Sequence, residues 1–320
     1  MNIFDAVGKT PLLRLQHLPI REPSISVYGK CEFLNPSGSV KDRAAKAMLL
    51  DGLKSGNLKP GMEILDATSG STGIAYCMMA AWLGYRVTLC MPANVSRERK
   101  QIVKAYGGRI IETSPLEGSE GAYQRASRMA VEEPDRYFSP DQYHNEQNWR
   151  AHYETTAEEI WEDTRGTVTH FVAGTGTAGT FVGTLRRLKE RNPDICGVLM
   201  QPDSPFHGLE GLRHIRTAYD RGFFDGSLAD MEITVNTEAA YAMTRRLAKS
   251  EGLLVGISAA ANVLAAIETA KLAPPHSVIV TILCDSGIRY LNEPVFQGTI
   301  DEGEDQTCQH PDSGHDRQFL

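Results

Sequence analysis

The sequence predicts an α/β protein of two doubly wound domains with a cleft between them. Three observations carry this. Short β-rich runs alternate with helix-like runs along most of the chain, a rhythm that yields parallel sheets with helices on both faces. The chain has 320 residues, and at ~150 residues per domain that is about two domains. Twice, a turn rich in glycine and hydroxyls joins a strand to a helix, where open α/β sheets hold their ligands.

Taken in order, the first strands are "EILDAT" (63–68), "RVTLCMP" (86–92) and "RIIETS" (109–114). Helical patterns lie between them, "GIAYCMMAAWLGY" (73–85) and "SRERKQIVKAYGG" (96–108). A second set follows, "THFVA" (169–173), "CGVLMQ" (196–201) and "SVIVTILC" (277–284). "TFVGTLRRLKER" (180–191) is helical after the first of these, and helical runs at 237–250 and 258–271 separate the later members. The runs at 63–68, 86–92 and 109–114 read as buried strands. The last stretch, residues 301–320, is polar and acidic and is expected to be a loose tail.

Composition narrows the function. Charged residues make up 23% and hydrophobic residues 41%, ordinary for a soluble globular protein. A net charge of −7 offers nothing to nucleic acid or to an anionic membrane. The basic clusters "RERK" (97–100) and "RRLKER" (186–191) are expected on solvated faces of helices. No run reaches the ~18 apolar residues of a membrane helix. Residues 1–10 lack the basic start and apolar stretch of a signal peptide, so a cytoplasmic location is expected. Six cysteines are scattered, mostly in apolar runs, and read as buried free thiols of a reducing compartment. Cys308, His310 and His315 sit in the polar tail with no partner cluster, and no metal site is expected.

Three segments carry chemistry. In "NPSGSVKDRAA" (35–45) a turn precedes a helix and leaves Lys41 at or near the helix N-terminus. The helix dipole disfavours an ammonium there. Such a lysine either binds phosphate as a point charge or is an amine of lowered pKa that forms Schiff bases. "DATSGSTG" (66–73) joins a strand to a helix through Thr68, Ser69, Gly70, Ser71 and Thr72. Hydroxyls and backbone N–H groups at a helix start make an anion site suited to a carboxylate, or simply a well-capped helix. In "GTGTAGT" (174–180), Gly174, Gly176 and Gly179 spell G-x-G-x-x-G, the pattern of a dinucleotide turn. Asp203, after the next strand, keeps that reading alive. The loop begins late in the chain, however, and its hydroxyls (Thr175, Thr177, Thr180) favour a terminal phosphate monoester.

Together these segments resemble the cysteine synthase family of pyridoxal-phosphate enzymes, over about residues 4–297. "VGKTPLLRL" (7–15), "DQYHNEQNWRAHYETTAEEIWEDT" (141–164) and "GLLVGISAAA" (252–261) are further matches. "THFV", "QPDSPFHGLEGLR" and "CDSGIRYL" are similar to its cysteine synthase B branch. The resemblance implies pyridoxal 5′-phosphate as cofactor and the tryptophan synthase β-like architecture (pyridoxal-phosphate fold type II). It implies a large cofactor-binding domain of residues 1–35 and 146–300, a small mobile domain of residues 36–145, and a homodimer. Lys41 is then the Schiff-base lysine. Gly174, Gly176, Thr177, Ala178, Gly179 and Thr180 form the phosphate loop, Ser258 meets the pyridine nitrogen, and Ser71 stands beside the cofactor's 3′-oxygen. Thr68, Ser69, Gly70, Thr72 and Gln142 hold the substrate carboxylate. Arg213 stands where some cysteine synthase B-like enzymes hold the leaving group of O-phosphoserine.

The implied reaction is β-replacement, forming L-cysteine from an O-activated serine and a sulfur donor. Formation of cystathionine or diaminopropionate, or a non-catalytic homologue, is the alternative. A serine hydroxyl at the pyridine nitrogen leaves the ring unprotonated, which favours prompt β-elimination over transamination. The chain departs from the family at Ser71 (usually Asn), Ala178 (usually Gly), Ala259–Ala260 (usually Ser-Gly or Thr-Gly) and Glu146–Gln147 (usually Pro-Ala).

Overall fold

A computed structural model describes residues 2–68, 70–218 and 222–297. Ser69 and the tail at 301–320, with Cys308, His310 and His315, lie outside the described residues.

The chain opens with β1 (Leu12–Arg14) and β2 (Ser26–Lys30), then α1 (Lys41–Ser55). It next builds β3 (Glu63–Ala67), α2 (Ser71–Leu83), β4 (Arg86–Pro92), α3 (Arg97–Ala105), β5 (Arg109–Thr113), α4 (Gly118–Glu132) and β6 (Tyr137–Phe138). There follow α5 (Gln147–Ala151), a π turn at His152–Thr156 and α6 (Ala157–Asp163). The rest is β7 (His170–Gly174), α7 (Gly179–Arg191), β8 (Cys196–Pro202), β9 (Met231–Val235), α8 (Thr237–Ser250), α9 (Ile257–Leu272), β10 (Val278–Ile282) and α10 (Pro294–Gln297).

Two sheets result. One has strand order β1-β2-β10-β7-β8-β9, the other β5-β4-β3-β6. Among the described residues every pairing between these strands is parallel except β1 with β2. In the larger sheet Val280 of β10 lies between Tyr28 of β2 and Phe171 of β7. One apolar core packs β2, β7, β8 and β10 against α8 and α9; a second fills the opposite face under α6 and α7. The smaller sheet is covered by α1, α2 and α3 on one face and by α4 on the other.

The helices follow their apolar patterns. α2 ("STGIAYCMMAAWL") and α9 ("ISAAANVLAAIETAKL") are apolar nearly all round and buried. The alanines of α9 let it lie close to the sheet; Ala259, Ala260, Ala261, Ala265 and Ala266 have no exposed surface. α3 and α8 are amphipathic and begin on capping side chains. Ser96 accepts from the Arg99 amide, and Asn236 accepts from the Ala239 amide at 2.7 Å.

The expected strands and helices are present. β1, β2, β6, β9, α4 and the α5–α6 segment carry too short or too mixed a pattern to be read as elements. α2 starts at Ser71 rather than at Gly73, so Ser71 and Thr72 belong to its first turn and not to the preceding loop. Two expectations are corrected. β5, read as a buried strand, has no buried residue and exposes Arg109 and Glu112. Within "RERK", Arg99 is not on a solvated face; it is 3% exposed. Arg99 and Val103 stand four apart on α3, on the stripe that packs inward.

Candidate active site

A cavity of about 290 Å³ opens where the C-terminal ends of β3, β7 and β10 converge. It lies between the two sheets, the position where ligands bind in such folds.

Lys41 is the first residue of α1 and borders the cavity. The turn before it is pinned from both sides. The Gly38 amide donates to the Asn35 carbonyl at 2.7 Å, and Asp42 accepts from the Ser37 amide at 2.7 Å and from the Ser37 hydroxyl. Among the described residues no carboxylate lies within ion-pair distance of the Lys41 amine. Loss of solvent pushes its pKa below the ordinary lysine value, and Cys284 and Asp285 offset part of that. An amine so placed holds its proton less firmly than an ordinary lysine, which suits it to act as nucleophile and base.

Across the cavity, β7 runs into the glycine loop and α7. Ala178, the N-cap of α7, sits in the left-handed region at φ +68, and the first-turn amides of α7 have no intrahelical acceptor. An added Cβ at Gly176 would lie 2.5 Å from the Gly211 carbonyl oxygen, so only glycine allows this close approach. Asn148 donates to the Gln142 carbonyl at 2.6 Å and to the Thr177 hydroxyl at 2.9 Å; Asn262 accepts from the Gly174 amide at 2.8 Å. Thr175 Oγ1 is buried and without a partner. Helix-start amides and the Thr177 and Thr180 hydroxyls, which line the cavity, form a donor set for a phosphate monoester; Thr175, expected among them, is buried outside the cavity lining.

The start of α2 forms a third wall. The Gly70 amide donates to Thr68 Oγ1 at 3.0 Å. Thr72 donates to Gln142 Oε1 at 2.8 Å, and Gln142 Nε2 donates to the Ala67 carbonyl at 2.9 Å. Arg289 stands behind this turn and donates to Ser71 Oγ at 2.9 Å and to the Ser37 carbonyl. Ser71 therefore accepts from a cation and keeps its own proton free. Gly70, at φ +148, packs against the Arg99 side chain and does not border the cavity.

Ser258, in the first turn of α9, lines the cavity and hydrogen-bonds the Cys284 thiol, whose pKa burial pushes up to about 12. Arg213 also lines it; its guanidinium lies 5.0 Å from the centre of the Tyr143 ring, and its amide donates to the Thr175 carbonyl at 2.8 Å.

The protein family described as pyridoxal-phosphate dependent enzymes matches residues 3–285. The chain belongs to this family. Its members use pyridoxal 5′-phosphate, and the cavity carries an amine and a helix start rich in amides and hydroxyls that fit it. The chain is 48% identical to a cysteine synthase of Aquifex aeolicus, over 92% of each chain. It is 41% identical to cysteine synthase B of Escherichia coli, over 92% of this chain and 96% of that one. Among solved structures it is similar to a cysteine synthase of Entamoeba histolytica, with a TM-score of 0.86 and 36% identity over 94% of this chain and 92% of that one.

Thus Lys41, Thr68, Ser71, Thr72, Gln142, Gly174, Gly176, Thr177, Ala178, Gly179, Thr180, Arg213 and Ser258 meet around one cavity. Residue patterns alone did not single out Arg99, Asn148, His152, Asp285, Arg289 or Tyr290. Helical spacing with Val103 marks Arg99; the others lie in polar stretches with no periodic signal. Among the described residues no group of three or more His, Cys, Asp or Glu is placed to hold a metal ion, and no helix is long and apolar enough to cross a membrane.

Proposed function

We infer that the protein is a pyridoxal-phosphate-dependent β-replacement enzyme that forms L-cysteine from an O-activated L-serine and a sulfur donor. The observation that carries this is the pairing, across one cavity, of a desolvated lysine at the start of α1 with a hydroxyl-rich helix start on α7. Kinship with the cysteine synthases supports the substrate class.

The cofactor, when bound, supplies an electron sink for the substrate's Cα and β-carbon. Gly174, Gly176, Thr177, Ala178, Gly179 and Thr180 hold its phosphate, and Ser258 offers a neutral hydroxyl to its ring nitrogen. Lys41 anchors it and, once released, takes the substrate's α-proton as general base. Thr68, Thr72 and the first-turn amides of α2 hold the substrate carboxylate, with Gln142 fixed in place by Ala67 and Thr72. The Arg289 charge behind Ser71 favours an anion there. Ser71 takes the place at which the family usually has asparagine and offers one hydroxyl proton. Arg213 takes the leaving group when that group is a phosphate. The four-stranded sheet with its helices, residues 36–145, moves against the larger unit, the protein works as a homodimer, and its place is the cytoplasm.

The test is direct. The parent protein is expected to absorb in the violet and to fix its cofactor to Lys41 on borohydride reduction. Lys41→Ala is expected to lose that absorbance and the formation of cysteine. Reductive labelling of another lysine, or stoichiometric NAD binding, would overturn the reading.

A further inference from the structure

Thr180, in the first turn of α7, borders the cavity, and a buried histidine stands behind it. His152 Nε2 lies 3.2 Å from Thr180 Oγ1, and His152 Nδ1 lies 2.9 Å from Thr156 Oγ1. His152 and Thr156 are 1% and 0% exposed. Both belong to the π turn between α5 and α6, and π turns recur at functional sites. Burial, with Arg43 and Lys41 close by and Glu159 opposing them weakly, drives the imidazole pKa well below its ordinary value. A neutral ring has one N–H and one bare nitrogen.

Two tautomers are open to it. If Nδ1 holds the proton, Nε2 is bare and takes the Thr180 hydroxyl proton, and Thr180 has nothing left to give the cavity. If Nε2 holds the proton, it donates to Thr180 Oγ1, the Thr156 hydroxyl donates to Nδ1, and the Thr180 proton is free. A phosphate monoester carries about −1.5 to −2 charge near neutral pH and accepts hydrogen bonds. Only the second tautomer serves it.

We propose that His152 is a positioning residue for the cofactor phosphate: through its Nε2–H it holds Thr180 so that the threonine hydroxyl donates into the phosphate loop. The proposal rests on the assignment of residues 174–180 to that phosphate.

Two measurements on the holoenzyme test it. A long-range ¹H–¹⁵N correlation on histidine-labelled protein is expected to show His152 protonated at Nε2 and bare at Nδ1; the opposite tautomer would overturn the proposal. Cofactor dissociation constants of variants supply the second readout. Thr180→Val and His152→Leu are each expected to weaken cofactor binding about tenfold, the scale of one hydrogen bond to a charged group. His152→Gln, whose amide N–H reaches where Nε2–H was, is expected to retain most of the affinity, whereas His152→Asn is not. Adding His152→Leu to Thr180→Val is expected to cost nothing further. Equal losses in all three His152 variants, or a full second loss in the double variant, would reject the role of His152 while leaving the phosphate loop standing. Unchanged cofactor affinity in Thr180→Val and Gly176→Ala would instead reject the loop assignment itself.

Discussion

Arg213 and Tyr143 meet at the cavity wall, and that contact holds a guanidinium at the cavity without neutralising it. Guanidinium pairs bidentately with phosphate, through bonds roughly twice as strong as neutral ones. Arg213→Ala is therefore expected to lower kcat/KM for O-phosphoserine about tenfold more than for O-acetylserine, or ~1.4 kcal/mol of transition-state binding. Equal losses on both substrates in steady-state kinetics would contradict it. Asp66 of β3 raises a question of stability instead. It is buried and accepts from the Ala67 amide at 2.7 Å, yet desolvation pushes its pKa from 3.8 up to about 7. Between those values the folded protein holds a proton that the unfolded chain has released, so stability falls as pH rises through the window. Asp66→Asn, which carries no charge at any pH, is expected to raise Tm at pH 8 by roughly 3 °C. The gain should shrink toward pH 5, where the parent's own carboxyl is protonated, and calorimetry at the two pH values checks this.

Among the elements, the loop between β7 and α7 is the most constrained. Gly176 faces the Gly211 carbonyl, Ala178 adopts φ +68, and Gly179 packs against Asn148. Gly176→Ala must push the 211 backbone away or shift the loop. It is expected to weaken cofactor binding by tenfold or more while the secondary structure, read by circular dichroism, stays unchanged; an overpacking strain of about 1–3 kcal/mol is enough for that. α2 shows how a helix start becomes an anion site. Its first turn takes Ser71 and Thr72 from the hydroxyl-rich stretch, and Arg289, more than 200 residues later, adds charge from behind. The glycines and hydroxyls were legible because a strand–turn–helix passage needs them locally. Arg289 was not, since its partner is distant in the chain and no spacing rule links 71 to 289.

For the whole molecule, polar contacts bridge the cleft. Arg99 of α3 pairs with Glu210 in the loop after β8 and lies 4.8 Å from the Tyr290 ring centre; Asn292 donates to Glu98 at 2.7 Å. Polar bridges of this kind break and re-form more readily than an apolar core, and the proposed movement of the smaller unit would have to pass through them. Small-angle scattering with a non-reacting analogue of the amino-acid substrate is expected to show a smaller radius of gyration. An unchanged radius would argue against closure. Light scattering at micromolar concentration is expected to give twice the chain's mass, and a monomer would contradict the dimer.

Strand–helix alternation, buried-strand runs and the three segments around Lys41, Ser71 and Gly176 were readable directly, because periodicity, turn chemistry and helix starts are local properties of a chain. The fold class followed from them, and the cofactor and most of the cavity wall followed from the family resemblance those segments carry. The short edge strands β1, β6 and β9 were not readable, because two to five residues carry too little periodicity and their pairing comes from neighbours far along the chain. Nor were the Arg289–Ser71 contact and the Thr156–His152–Thr180 chain. Each of these joins groups from separate elements, and burial and hydrogen bonding between them exist only once β7, β10 and the start of α2 have been brought to the same cavity.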